Sequence, residues 1–137
     1  MTTIKPTVLV IEDDEVISYI LEFMLTKEGF DVEIIDDGLV ALNRVTGDAE
    51  SSAPELPAVV LLDVMLPHVD GHRLISEIRS SETWRDVPVL MLTSKAQESS
   101  IAQGLASGAN DYIVKPFTPA DVVERIRRYV PGATPAS

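Results

Sequence analysis

Short apolar runs alternate with longer amphipathic segments along this chain, and the alternation occurs five times. The runs are continuous and rich in aliphatic and β-branched residues, a composition typical of strands buried on both faces of a sheet. We predict strands at Thr7–Ile11, Val32–Ile35, Ala58–Leu62, Val87–Leu92 and Tyr112–Val114. We predict helices at Glu15–Lys27, Leu39–Val45, Gly71–Ser80, Gln97–Ala106 and Pro119–Val130.

Two of the helices have a clear apolar face. In the first, the spacing of the apolar residues predicts one buried stripe, ended by Gly29. Its members are Val16, Ile17, Ile20, Leu21, Met24 and Leu25. The last helix has proline in its first turn, which a helix tolerates, and an apolar face for the core. That face contains Val122, Val123, Ile126 and Val130.

Five β–α units in series predict an α/β fold with a parallel sheet covered by helices on both faces. The 137 residues fit one doubly wound domain and are too few for an eight-fold barrel. We place the domain at residues 1–130 and read 131–137 (PGATPAS) as a flexible tail. In such sheets the functional site lies at the carboxyl ends of the strands, beside the point where the strand order reverses.

Composition excludes several classes of protein. There is no cysteine, so disulfides and cysteine-based zinc sites are excluded. A net charge of −11 argues against direct binding to nucleic acid, which needs clustered basic residues. No apolar run approaches the ~20 residues of a membrane-spanning helix, and the N-terminus lacks the pattern of a signal peptide. We therefore expect a cytoplasmic protein.

Polar residues follow four of the predicted strands. Glu12 and Asp13 come after the first, Asp63 after the third, Thr93 after the fourth and Lys115 after the fifth. Each residue alone also has a structural interpretation, as a helix cap, a turn residue or a solvated side chain. Those interpretations become improbable together, because independent caps need not all fall at the same edge of a sheet.

Such a cluster has a coherent chemistry. Carboxylates a few ångströms apart raise one another's pKa unless a cation lies among them. Oxygen ligands suit Mg²⁺, and a carboxylate can attack phosphorus to form an acyl phosphate. A metal and a lysine would neutralise the charge that develops on the transferring group, and a threonine hydroxyl could hydrogen-bond a phosphoryl oxygen.

The ordered motifs resemble the receiver domain of bacterial response regulators. They are VLVI before Glu12 and Asp13, VVLL-Asp63-VMLP with Asp70-Gly71, VLML before Thr93-Ser94, and Tyr112-IV-Lys115-Pro116-Phe117. The resemblance covers residues 6–130, and the intervals from Asp63 to Thr93 and from Thr93 to Lys115 match the family. Each motif alone is weak, but the ordered set is specific. It implies a flavodoxin-like (βα)5 fold with strand order 2-1-3-4-5.

The resemblance also implies a reaction and a cofactor. Asp63 accepts a phosphoryl group from a phosphohistidine on a sensor histidine kinase or a histidine phosphotransfer protein. The cofactor is Mg²⁺ or Mn²⁺, held by the side chains of Asp13 and Asp63 and by the backbone carbonyl of Met65. Glu12 acts at the metal, often through water.

Further residues are implied to respond to the phosphoryl group. Lys115 pairs with it, Thr93 moves toward it, and Tyr112 rotates inward behind Thr93. This motion is expected to remodel the face formed by helix four, strand five and helix five, where partners bind. Asp14 and Ser94 are accessory candidates, although Asp14 alone is better explained as the cap of the first helix. The Lys115–Pro116 bond is expected to be cis.

The implied function is that of a phosphorylation-controlled binding module in two-component or phosphorelay signalling. Such a module catalyses its own phosphotransfer and dephosphorylation and is not an enzyme acting on an external metabolite. Its other partner is a downstream protein or its own output domain, with no direct contact to nucleic acid or membrane, and it is a monomer or weak dimer. The chain reads as a stand-alone receiver. Alternatively, it is a receiver fragment of a larger regulator with an output domain.

Three competing functions can be weighed on the residues. A haloacid-dehalogenase-like phosphatase needs a second aspartate two positions after its nucleophile, and that position is Met65 here. A flavodoxin-like cofactor binder needs a Ser/Thr/Gly-rich phosphate loop, which the first β–α turn lacks. A degenerate receiver that signals without phosphate is disfavoured because the five polar positions are intact.

Some positions depart from the commonest pattern of the family. Glu12 stands where aspartate is more usual, and the loop at 46–57 is several residues longer and is expected at the opposite end of the sheet. Met65 and Lys95 occupy positions that tune phosphoryl lifetime in the family.

Other distinctive residues are expected to be structural. We predict that Trp84 packs in a loop and that His68 and His72 lie on the surface. Asp111 and Arg125 match positions that form ion pairs across a dimer in one DNA-binding subfamily of regulators. An intramolecular pair, or no pair, is an equally acceptable expectation.

Overall fold

Strands and helices alternate strictly in the computed structural model, which describes residues 5–47, 56–94 and 98–130. The elements are β1 (Thr7–Ile11), α1 (Glu15–Lys27), β2 (Asp31–Ile35), α2 (Gly38–Thr46), β3 (Val59–Asp63), α3 (Gly71–Ser80), β4 (Val89–Ser94), α4 (Glu98–Ser107), β5 (Asp111–Lys115) and α5 (Pro119–Tyr129). All five strands are parallel and lie in the order β2-β1-β3-β4-β5. The predicted doubly wound sheet and its strand order are therefore confirmed.

The sheet separates two apolar layers. Residues Leu9 and Ile11 of β1 point into the layer that contains side chains of α2 and α3. Their neighbours Val8 and Val10 point into the other layer, with side chains of α1 and α5. Alternation along a strand sends successive side chains to opposite faces, so a strand covered on both faces must be apolar throughout. This explains why the strands could be recognised as continuous apolar runs.

Side-chain caps fix the start of several helices at the carboxyl side of the sheet. Asp14 accepts hydrogen bonds from the backbone N–H groups of Val16 at 2.9 Å and Ile17 at 3.1 Å, which confirms its predicted role as the cap of α1. Asp37 and Asp70 cap α2 and α3 in the same way. Such caps satisfy N–H groups that have no partner within the helix.

The boundaries of three strands differ from the prediction at their carboxyl ends. Asp63, Thr93 and Lys115 were placed after their strands, but each belongs to its strand. The fourth strand begins at Val89 and not at Val87. The apolar pattern stops where side chains become polar, whereas a strand continues for as long as its backbone hydrogen bonds do.

The apolar stripe predicted for α1 is only partly correct. Leu21, Met24 and Leu25 are buried, but Val16 is 68% exposed and Ile20 is 44% exposed. The run of apolar residues covers a wider arc than the sheet does, so its outer members face solvent. The face predicted for α5 is confirmed, since Val122, Val123, Ile126 and Val130 are all buried.

One histidine was also assigned to the wrong environment. His72 was predicted on the surface, but it is 9% exposed, whereas His68 is exposed as predicted. Trp84 is buried in the layer beside α2 and α3, which confirms its packing role. Predictions for most of the loop at 46–57, for Lys95 and for 131–137 lie outside the described residues. No helix among the described residues is long and apolar enough to cross a membrane.

Candidate functional site

The sheet register brings the predicted site residues to one edge. Ile11 pairs with Leu62, so Glu12 and Asp63 are the next residues along adjacent strands β1 and β3. On the far side of β3, Asp63 pairs with Leu92, which places Thr93 one residue further along β4. Because parallel strands share a direction, their carboxyl ends meet at the point where the order reverses between β1 and β3.

A lysine from β5 reaches across this edge to two carboxylates. The Nζ atom of Lys115 donates to Oε1 of Glu12 at 2.7 Å and to Oδ2 of Asp63 at 3.1 Å. Both acids are buried, with Glu12 fully so, and Lys115 is half-buried. One ammonium group therefore carries the charge compensation for two carboxylates that water barely reaches.

Asp63 is oriented by a second donor as well. Its Oδ1 atom accepts the backbone N–H of Met65 at 2.8 Å, while Oδ2 faces Lys115. The Met65 side chain itself is 65% exposed, so the loop after β3 turns outward at this point. A carboxylate that is hydrogen-bonded through both oxygens has a defined orientation.

The electrostatics of the site are unbalanced. Burial raises the pKa of Glu12 to about 8, and its hydrogen-bonding contact with Asp63 adds to the rise against the opposing effect of Lys115. Burial acts in the same sense on Asp63, but hydrogen bonds from Glu12, Met65 N–H and Lys115 outweigh it and lower the pKa of Asp63. Burial alone would lower the pKa of Lys115, yet its bonds to both acids raise it. The site thus holds a proton on Glu12, because the carboxyl group is buried and lies beside Asp63.

Three acids at this edge can share a ligand. Carboxylate oxygens of Glu12, Asp13 and Asp63 all lie within 4.8 Å of one another, and Asp13 is exposed to solvent while the other two are buried. This is the group of acids that the sequence predicted. A hard cation with oxygen ligands, such as Mg²⁺, matches such a donor set, and it would supply the positive charge that the site lacks.

The remaining predicted residues take up different positions around the edge. Thr93 is buried at the end of β4, with its hydroxyl 3.4 Å from the carbonyl oxygen of Ser94, and Ser94 is half-buried. Tyr112 is half-buried and packs against the apolar layer beside α2 and α3. Asp14 is exposed and has its carboxylate turned to the N–H groups of α1.

Two further predictions are decided by the geometry around β5. The Lys115–Pro116 bond is cis, as predicted. Asp111 and Arg125 form an ion pair at 2.8 Å within the chain, and Arg125 also donates to the carbonyl oxygen of Tyr112 at 2.7 Å. The intramolecular alternative is therefore the one observed.

Arg79 forms four hydrogen bonds that the sequence does not predict. The guanidinium of Arg79 in α3 donates to three backbone carbonyl oxygens and to the side chain of Asn110, at 2.7–2.9 Å. It lies near the start of β4, away from the carboxylates. Its only signal in the sequence is an arginine close to the end of an amphipathic helix, which is also what a surface arginine looks like.

Comparison with known proteins gives a consistent result. Residues 8–127 match the family described as the response regulator receiver domain. The DNA-binding response regulator MtrA of Mycobacterium tuberculosis is 40% identical over 128 residues, which are 93% of this chain and 51% of MtrA. The chain thus spans about half the length of the curated relatives that it matches.

Solved structures agree with this result. A putative response regulator from Chloroflexus aurantiacus has a TM-score of 0.82 at 31% identity, over 93% of this chain and 98% of that one. The receiver domain of the sensor histidine kinase PA1611 from Pseudomonas aeruginosa, with a magnesium ion in its active site cleft, has a TM-score of 0.79 at 29% identity. That match covers 94% of this chain and 100% of the other. The chain belongs to the receiver domain family of two-component response regulators, which are signalling modules.

Proposed function

We propose that Asp63 accepts a phosphoryl group from a phosphohistidine and that the domain uses this modification as a switch. The donor is a sensor histidine kinase or a histidine phosphotransfer protein. The observation that carries the proposal is the pair of bonds from Lys115 to Glu12 and Asp63, at the edge where the strand order reverses. Buried carboxyl groups that share one lysine, as Glu12 and Asp63 share Lys115, are typical of sites where the charge changes during function.

A divalent cation, Mg²⁺ or Mn²⁺, fits the residues at this site. Glu12, Asp13 and Asp63 would hold it through carboxylate oxygens, and the backbone carbonyl of Met65 is the further predicted ligand. The raised pKa of Glu12 supports the fit, because it shows that burial and the neighbouring Asp63 make a charged Glu12 unfavourable unless a cation lies beside it. When bound, the cation would neutralise charge on the phosphoryl group during transfer.

The residues of the chain divide the work of the transfer. An oxygen of Asp63 forms a bond to phosphorus while the phosphorus–nitrogen bond of the donor breaks, and the leaving imidazole keeps the electron pair and takes up a proton. The N–H of Met65 holds the other oxygen of Asp63 in place. Lys115 then exchanges its bond to Asp63 for one to the phosphoryl oxygens. Hydrolysis of the acyl phosphate by water resets the domain, which turns over no other substrate.

The response to phosphate starts at Thr93 and Tyr112. Thr93 carries a buried hydroxyl on the strand next to that of Asp63, and this position supports a role as a donor to a phosphoryl oxygen. A shift of Thr93 would open space for Tyr112, which packs against the apolar layer beside α2 and α3. Together they would bias a two-state equilibrium of the face formed by α4, β5 and α5.

The length of the relatives supports a target outside this domain. Because the chain spans about half of regulators such as MtrA, it acts on an output domain of a longer protein or on a separate protein. MtrA is described as DNA-binding, but the acidic receiver itself would not touch nucleic acid. The Asp111–Arg125 pair is satisfied within one chain, which supports a monomer or weak dimer in the unphosphorylated state. We propose a cytoplasmic location, where the kinase presents its phosphohistidine.

Incubation with acetyl phosphate and MgCl₂, followed by intact-mass spectrometry, tests the proposal. The protein should gain the mass of one phosphoryl group, and the Asp63→Asn variant should gain none. Asp70→Asn is the matched control, because Asp70 is an aspartate in the same loop region that caps α3, and this variant should still be labelled. Labelling that persists in Asp63→Asn would overturn the assignment.

A further inference from the structure

A buried histidine connects two helices near the loop 64–70, which follows Asp63 and is called the phosphorylation loop below. His72 is the second residue of α3, and its ring Nδ1 lies 3.0 Å from Oδ1 of Asp70, the residue that caps the same helix. On the other side of the ring, Nε2 lies 3.0 Å from the backbone carbonyl oxygen of Ser100, in the first turn of α4. The imidazole therefore bridges the start of α3 and the start of α4.

The site selects for this type of side chain. The carbonyl oxygen of Ser100 can only accept, so a hydrogen bond to α4 requires the ring proton on Nε2, while Nδ1 faces the carboxylate of Asp70. A leucine would fill the space without donating to Ser100. A buried polar group costs free energy unless it is hydrogen-bonded. The hydrogen bond to Ser100 offsets the cost of burying the ring, and this bond exists only while α4 stays in this position.

Close packing of α4 against β4 also indicates that its position is tied to His72. At Gly104 an added Cβ would lie 2.7 Å from Cε of Met91 and 3.6 Å from Cδ2 of His72. The glycine lets α4 approach β4 and the histidine ring directly. A helix without side-chain bulk at this contact is seated on Met91 and His72, and the hydrogen bond to Ser100 sets where its first turn lies.

The other end of the bridge leads to Asp63. A Cβ on Gly71, the first residue of α3, would lie 2.7 Å from Cα of Val64, which follows Asp63 directly. The start of α3 is thus pressed against the backbone beside the phosphate acceptor. A displacement of the loop after β3 must move the start of α3, and with it the ring of His72.

We propose that His72 is a positioning residue that ties α4 to the phosphorylation loop, through Asp70 on one side and the Ser100 carbonyl on the other. The tie rests on the proposed function, since it matters for signalling only if Asp63 is phosphorylated. It gives α4 a second connection to the site, on the α3 side, in addition to the one through Thr93 and Tyr112. The connection through Thr93 and Tyr112 runs along β4 and β5, whereas the connection through His72 runs along α3.

Hydrogen–deuterium exchange of the full chain, read on peptides covering 98–107, tests the tie. The wild type is compared with His72→Leu, which keeps apolar bulk, and with His72→Gln, whose amide nitrogen can reach the position of Nε2. Removing the bond to Ser100 should raise basal exchange of the hydrogen-bonded amides of α4, those after its first turn, about fivefold, the effect expected for one lost hydrogen bond. His72→Gln should restore exchange to within about twofold of the wild type. His68→Asn is the matched control, because His68 is an exposed histidine that faces Asp37 and asparagine tolerates its positive φ of 72°, so basal exchange of α4 should stay the same.

Beryllofluoride with MgCl₂, used as the phosphoryl mimic, then tests transmission. The wild type should show a change in α4 exchange, His72→Leu should lose at least half of that change, and His72→Gln should retain it. Equal responses in wild type and His72→Leu would overturn the proposal, as would equal losses in the Leu and Gln variants, which indicate packing alone. Should His72→Leu fail to fold, the comparison of His72→Gln with His72→Asn decides, because the shorter amide does not reach Ser100.

Failure of the proposed function would look different. In that case the wild type would gain no phosphoryl mass and show no response to beryllofluoride, while the basal exchange of His72→Leu and His72→Gln would still report whether the tie exists. Normal phosphorylation in all variants, with basal α4 exchange the same in His72→Leu as in wild type, would remove the tie and leave the phosphate acceptor assigned.

Discussion

Two partly buried cations at opposite ends of the sheet are held in contrasting ways. Lys115, at the carboxyl end of β5, bonds to two carboxylates, and its bonds to them raise its pKa. Arg79, near the start of β4, bonds to three backbone carbonyls and one amide oxygen, and burial lowers its pKa. The partners of Lys115 can change charge or bind a ligand, whereas those of Arg79 cannot.

We call Lys115 with Glu12 and Asp63 the switch, and Arg79 with its four hydrogen-bond acceptors the clamp. A cation held by ionisable groups can be redistributed when a phosphoryl group or a metal arrives, because the new charge competes for the same bonds. A cation held by neutral acceptors has hydrogen bonds whose partners do not change charge, so it fixes the chain where it is. Three experiments exploit this difference, beginning with the clamp.

Replacing Arg79 with methionine should give the largest loss of stability. The change leaves the carbonyls of Gly108, Arg85 and Val87 without their donor, and we expect the free energy of unfolding to fall by about 2–4 kcal/mol. Urea denaturation monitored by circular dichroism measures it. Phosphorylation by acetyl phosphate at low temperature should be unchanged, because the clamp does not contact the site.

The control for the clamp is Arg128→Met. Arg128 is exposed and pairs with Glu124 four residues earlier in α5, so its loss should cost less than about 1 kcal/mol. Equal destabilisation in the two variants would show that Arg79 is an ordinary surface cation and would erase the contrast.

Replacing Lys115 with methionine should have a smaller effect that depends on metal. Without the ammonium group, Glu12 and Asp63 lie together with no cation, and we expect a loss of about 1–3 kcal/mol at pH 7 in EDTA. Millimolar MgCl₂ should recover more stability in the variant than in the wild type, since the metal would replace the missing charge. The measurement is urea denaturation with and without MgCl₂. The same shift in both proteins would mean that Lys115 and the metal do not share the carboxylates.

The difference between the two cations also explains what the sequence revealed. Lys115 was predicted because it lies at the carboxyl end of a strand, as Asp63 does, and strand ends converge in a parallel sheet. Arg79 was missed because its partners are backbone carbonyls, which every residue has and no motif marks. The fold followed from five apolar runs for the same reason, since burial on both faces leaves a direct trace in composition.

Facing directions were harder to predict than elements. Val16 and His72 were both misplaced, Val16 as core and His72 as surface. Whether an apolar residue at the edge of a helical stripe is covered depends on how far its neighbours extend, and whether a histidine is buried depends on acceptors such as the Ser100 carbonyl far along the chain. These are properties of the packed structure and have no local signal.

Glu12→Gln sharpens the comparison on the side of the switch. In the metal-free protein the pKa of Glu12 is about 8, above its usual value of 4.5. Between these two pH values the folded state holds a proton that the unfolded state has lost, so stability falls as pH rises through this window. Glutamine has no such proton to lose. Between pH 5.5 and 8 the free energy of unfolding of Glu12→Gln should therefore fall by about 1–2 kcal/mol less than that of the wild type. The upper limit is ~1.4 kcal/mol per pH unit, the value for one fully retained proton.

The wild type and the variant are compared by urea denaturation in EDTA across this range. The lowered pKa of Asp63 contributes stability above its usual value of 3.8 and loses it only in more acidic solution, so Asp63 does not interfere. Arg79→Met should shift the whole wild-type curve downward without changing its slope, because a clamp of neutral acceptors has no proton to exchange. Parallel curves for wild type and Glu12→Gln would show that Lys115 alone balances both carboxylates and that the site has no charge to gain from a metal.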